Sequence, residues 1–170
     1  MVLNVRLTRS EMSEVKQAAA LRWQLARASG VVNQRKDIRS DADIDLLGLK
    51  AEMAVAKALQ LPYRASDLGI DSGADMWSED VSIDVKATYH KSGKLLFKSL
   101  DSFVAEYAIL VTISDDEDVM RIAGGMGRDR FKLEAVETDL GRGICWVVPQ
   151  DILTPIEGVW LTLTQWRLCR

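Results

Sequence analysis

Near Ser66 the chain changes its hydrophobic period, from the helical repeat of about 3.6 residues to the alternation of a strand. Two amphipathic helices followed by a meander of strands suit a single α/β or α+β domain, and 170 residues are enough for one. Upstream of the switch, residues 2–7 alternate weakly, as a short edge strand does. Thr8 or Ser10, with Glu11 and Glu14 after it, provides an N-cap and acids in a first turn. The spacing predicts a helix to about Ser29, stopped by Gly30. Val15, Ala18, Ala19, Arg22 and Ala26 recur at its helical spacing. Residues 33–41 are polar and charged and read as a loop. A second helix is expected over 42–59, ending before Pro62. Its stripe of Leu47, Ala51, Ala54, Val55, Ala58 and Leu59 is mostly small, so it can pack close to a sheet.

Downstream, a loop feeds a short strand at 74–77, and Ser78-Glu79-Asp80 has turn chemistry before a strand at Val81–Thr88. Further strands are expected at 95–98, at the apolar run 108–114 and at 119–123, the last broken by Gly124-Gly125-Met126-Gly127. A helix over 131–138, a strand at Ile144–Val148 and a final strand over 159–167 complete the expected order.

Composition narrows the chemistry. No apolar run nears the roughly 18–20 residues of a membrane span, and the N-terminus lacks the pattern of a secretory signal, so a cytoplasmic protein is expected. Two cysteines and one histidine leave zinc clusters and paired imidazoles without ligands. A metal here would need carboxylates, which favours Mg²⁺ or Mn²⁺. The net charge of −3 is unevenly spread: residues 1–40 carry +5 and residues 41–170 carry −8. Residues 1–41 therefore read as a basic helical arm on a single domain spanning 1–170. Such an arm suits either nucleic-acid contact, through Arg35 and Lys36 among others, or a solvated helix face.

The sharpest constellation lies in Val81–Thr88. Strict alternation puts Val81, Ile83, Val85 and Ala87 on one face, and Ser82, Asp84, Lys86 and Thr88 on the other. If the strand at 74–77 folds back across the turn, Asp75 comes near Asp84. Asp71 competes for that place, and the turn register favours Asp75. Converging carboxylates repel unless a positive charge lies among them, and a divalent metal is the usual remedy. Such a metal polarises a phosphodiester and acidifies water, and Lys86 would orient that water or offset transition-state charge. Glu52, at the margin of the second helix's stripe, can reach towards the same metal.

Gly48-Leu-Lys-Ala-Glu52 on a helix, then Ala74-Asp75, then Ile83-Asp84-Val85-Lys86, resembles the PD-(D/E)XK nuclease superfamily. The resemblance implies that Glu52, Asp75 and Asp84 bind Mg²⁺, with Mn²⁺ a substitute, and that Lys86 assists the water. It also implies a restriction endonuclease-like core, a four-stranded or larger mixed sheet flanked by helices. Ala74 stands where the motif has proline, and Asp84 where glutamate is commoner. An acid-x-Lys triplet alone arises about once by chance in such a chain, and Glu14-Val15-Lys16 is another, but on a helix that separates its ends.

Lys91, Lys94 and Lys98 form an acid-free stretch beside the motif, suited to phosphates or to a solvated turn. Arg128, Arg130 and Lys132 are weaker candidates of the same kind. The glycine cluster at 124–127 lacks phosphate-loop spacing and reads as a turn. The expected activity is DNA phosphodiester hydrolysis, in a homodimer where two cuts are made. The alternative is an inactive module of the same fold that binds nucleic acid or a protein partner.

Overall fold

The computed structural model describes residues 2–28, 41–65, 73–141 and 143–168. The elements run β1 (Leu3–Arg6), α1 (Arg9–Ala28), α2 (Asp41–Leu59), β2 (Met76–Ser78), β3 (Val81–Thr88) and β4 (Leu95–Phe97). There follow β5 (Tyr107–Ile113), β6 (Val119–Gly127), α3 (Arg128–Glu134), β7 (Val136–Asp139), β8 (Ile144–Val148) and α4 (Ile156–Leu168). They form a mixed α/β domain. A five-stranded sheet has the order β1-β6-β5-β3-β2, with β3 and β5 parallel and the other pairs antiparallel. A second, three-stranded sheet has the order β4-β8-β7.

Local chemistry accounts for the helix ends. Thr8 and Glu11 make a reciprocal cap: the Glu11 N–H donates to Thr8 Oγ1 (3.2 Å) and the Thr8 N–H to Glu11 Oε2 (2.6 Å). At the end of α2, Gln60 takes the left-handed conformation (φ 55°), and the Leu61 N–H reaches back to the Ala56 carbonyl at 2.9 Å. This is a Schellman-type stop, built on a glutamine where glycine is the unstrained choice.

Two apolar layers sandwich the large sheet. On one side Met12, Val15, Ala18 and Ala19 of α1, most of α2, and Ile156, Val159 and Leu163 of α4 pack on Ile83, Val85, Ile109 and Ile122. The opposite layer holds Ala108, Leu110, Met126, Phe131, Leu95, Phe97, Phe103 and Val148. Three of its rings interlock: Phe97 stacks on Phe103, and Phe131 meets both edge-on. Much of the basic N-terminal segment is thus core-forming helix. Arg35, Lys36 and Asp71 lie outside the described residues.

Three expectations are corrected. The glycines at 124–127 do not break β6, which continues through Gly127. They make room instead: a Cβ on Gly125 would lie 2.7 Å from the Tyr107 ring and 2.8 Å from the Ala108 carbonyl oxygen. The main chains of Gly125 and Thr154 also exchange hydrogen bonds of 2.8 and 2.9 Å there. The helix expected over 131–138 ends at Glu134, and 136–139 form β7 against β8. The last segment is helix α4 and not a strand, because burying Ile156, Val159 and Leu163 on one side requires helical spacing.

Candidate active site

The β2–β3 hairpin sets the site. Its register pairs Met76 with Ile83, Trp77 with Ser82 and Ser78 with Val81, around a turn in which Glu79 has φ 55°. One step beyond the ladder, Asp75 meets β3. Its N–H donates to the Ile83 carbonyl (2.9 Å), and its Oδ2 accepts from the Val85 N–H at 2.6 Å. Asp75 is therefore pinned to the strand that carries Asp84.

Asp84 and Lys86 pair in register with Ala108 and Leu110 of β5, so they share the sheet face that those residues present to the aromatic layer. Asp84 is buried, and its Oδ2 lies 2.7 Å from Lys86 Nζ. The ammonium sits 5.0 Å from the centre of the Phe97 ring, close enough for cation–π attraction, and keeps part of its side chain in solvent. A cation at the boundary of a buried acid can serve both that acid and an incoming anion.

Glu52 arrives from α2. It is buried, 8% exposed, and two groups address its carboxylate: the Tyr63 hydroxyl donates to Oε2 at 2.5 Å, and Arg22 Nη1 lies 3.9 Å from Oε1. Burial raises the Glu52 pKa above the usual carboxylate range, while Tyr63 and Arg22 pull it down and Asp84 adds to the rise. Asp75 is pushed up to about 7, first by burial of its carboxylate and next by the charge of Glu52. The Val85 N–H opposes this, Asp84 reinforces it and Lys86 relieves it. Asp75 nevertheless keeps an exposed flank. The Tyr63 hydroxyl is likewise driven up, by burial and by Glu52. Asp75 thus feels Glu52, Asp84 and Lys86, and Glu52 feels Asp84.

Glu52, Asp75 and Asp84 offer the kind of hard oxygen donors that a divalent cation takes. Each of the three has one carboxylate oxygen with no hydrogen bond among the described residues, and burial, with neighbouring acids adding to it, raises the pKa values of Glu52 and Asp75. Among the described residues no three acids, histidines or cysteines stand together as a ready-made metal cluster.

The remaining expected residues fare unevenly. Lys91 is paired with Asp115 at 2.5 Å, whereas Lys94 and Lys98 are exposed, and Lys98 directly follows the Phe97 that lies under Lys86. Arg128 donates to the Val104 carbonyl, and Arg130 to the Ile152 carbonyl and Thr154, so both serve internal acceptors. Tyr63 and Phe97 carry no sequence signal of a role at the site. Arg22 does carry one, as the charged member of the α1 apolar stripe. Comparison of the chain with family models, curated proteins and solved structures finds no match.

Proposed function

We propose that the chain is a metal-dependent deoxyribonuclease that hydrolyses phosphodiester bonds within DNA, with Glu52, Asp75 and Asp84 holding Mg²⁺ or Mn²⁺. The observation that carries this reading is the hairpin register, which fixes Asp75 against the strand bearing Asp84 and Lys86, while Asp75 feels Glu52 and Glu52 feels Asp84. A divalent ion there supplies Lewis acidity and an acidified water at neutral pH. The chain's own groups do the rest. The three carboxylates give up their repulsion on holding positive charge, and Asp75 and Glu52 shed any proton they carry. Lys86, half in solvent, offsets the negative charge that builds on the phosphate or orients the attacking water. No helix among the described residues is long and apolar enough to cross a membrane. We place the protein in the cytoplasm, acting on DNA as a homodimer in which two sites serve two strands.

Two observations favour a second reading, a module of the same architecture that binds nucleic acid or a protein without cutting. The acids do not stand as a closed metal cluster, and Asp84 is engaged by Lys86. Incubation with supercoiled, linear, nicked, branched and single-stranded DNA, with Mg²⁺, Mn²⁺ or EDTA, separates the two. Metal-dependent cleavage that Lys86→Ala abolishes, in a variant that still folds, is the expected result. Intact DNA in every arm, with no Mn²⁺ bound by the wild type, refutes the nuclease reading.

A further inference from the structure

The contacts around Glu52 assign a role to Arg22, resting on the nuclease reading above. Arg22 lies on α1 in line with Val15, Ala18 and Ala19, three residues that are buried in the core. A guanidinium on an apolar stripe is costly unless a close partner repays its desolvation. Its partner among the described residues is Glu52, and the 3.9 Å separation is beyond hydrogen-bond reach. Glu52 has a closer partner, because the Tyr63 hydroxyl donates to its other carboxylate oxygen. The Arg22 side chain is also 35% exposed against 10% for Glu52, so it opens towards solvent at the rim of the carboxylate group. A planar fork of five donors, aimed at an acid it does not touch, is suited to a bidentate anion.

We propose that Arg22 is a substrate-phosphate ligand, which leaves Glu52 and grips a backbone phosphate of the polynucleotide once positive charge is held by the acids. In the free protein it stands in as a loose counter-ion. In the complex the phosphate offers a closer and better matched partner. Arg22 would then lie on the α2 side of the site, with Lys86 on the β3 side.

The test uses the full chain in a Lys86→Ala background, in which DNA remains intact and all three acids are kept, with a fluorescein-labelled duplex oligonucleotide in Mg²⁺. Binding is followed by anisotropy over a salt series. Adding Arg22→Met should weaken binding about tenfold and reduce the slope of log affinity against log salt by about 0.9, the loss of one phosphate contact. Arg22→Lys should keep the slope and recover only part of the affinity, since a point charge replaces a fork. Unchanged affinity and slope in both variants overturn the proposal and leave Arg22 as a counter-ion of Glu52. Its failure is separable from failure of the nuclease reading, which shows as wild-type protein that leaves every DNA form intact and binds no Mn²⁺. Should Arg22→Met not fold, the Lys variant decides: an affinity equal to that of the parent overturns a bidentate phosphate role.

Discussion

Asp75→Asn should make the metal-free protein more stable at alkaline pH, although it removes a residue placed at the centre of the site. The Asp75 carboxyl is raised from 3.8 to about 7, chiefly by burial and by Glu52. Between about pH 4 and about pH 7 the folded chain therefore holds a proton that the unfolded chain has released. Stability carried by this group must fall as pH rises through that window, and the penalty is complete above it. At about 1.36 kcal/mol per pKa unit the ceiling is roughly 4 kcal/mol. The exposed flank of Asp75 lets water screen the interaction, which brings the expected effect to about 1–2 kcal/mol. Asparagine keeps an oxygen for the Val85 N–H and does not titrate. Glu11, Asp115 and Asp116 have lowered pKa values and bias the whole chain the other way, so the informative quantity is the difference between variant and wild type. Urea unfolding in EDTA should give near-equal stabilities at about pH 4 and an advantage for Asp75→Asn at about pH 8. Saturating Mg²⁺ at about pH 8 should then stabilise the wild type and not the variant. A difference that does not change with pH, or a variant weaker at alkaline pH, would refute the electrostatic account of the site.

Three further substitutions address the frame around it. Gln60→Gly relieves a left-handed residue at the α2 stop and should raise unfolding stability by about 0.5–1 kcal/mol, read from the urea midpoint; a loss would contradict the Schellman-type stop. Gly125→Ala drives a methyl group into the Tyr107 ring and should cost about 1–3 kcal/mol, seen as a lowered Tm, and no change would mean that β6 does not pass so close to β5. Tyr63→Phe leaves Glu52 buried without its hydroxyl donor and should cost about 1–3 kcal/mol. That cost should be larger at about pH 8 than at about pH 5, because Tyr63 lowers the Glu52 pKa and favours its charged form. Equal costs at both pH values would show that the hydroxyl does not support the carboxylate's charge.

The parts of the site that were legible in the sequence are those set by local periodicity. Alternation alone puts Asp84 and Lys86 on one face, and the Ser78-Glu79-Asp80 turn is enough to bring Asp75 back onto β3. Glu52 was visible as a polar margin on a helical stripe, and its burial follows from how closely small alanines let α2 approach the sheet. Where two periods fit the same residues, tertiary packing chose between them. Val159, Leu161 and Leu163 alternate as a strand would, yet Leu161 is exposed while Ile156, Val159 and Leu163 are buried together, and only the helical arrangement gives that outcome. The glycines at 124–127 read as a break because their reason is another strand's ring and a distant carbonyl, neither of which leaves a local trace. Tyr63 has the same difficulty: it follows Pro62 in irregular chain, where no period marks a direction, and its partner is set by the path of the fold. Arg22 differs from it in kind. A charge in an otherwise apolar stripe is a visible conflict between local pattern and burial, and such a conflict is retained only where a partner, resident or incoming, resolves it. The resident partner here stands 3.9 Å away and is already bonded to a tyrosine, which is why the unresolved part points outward, to a ligand.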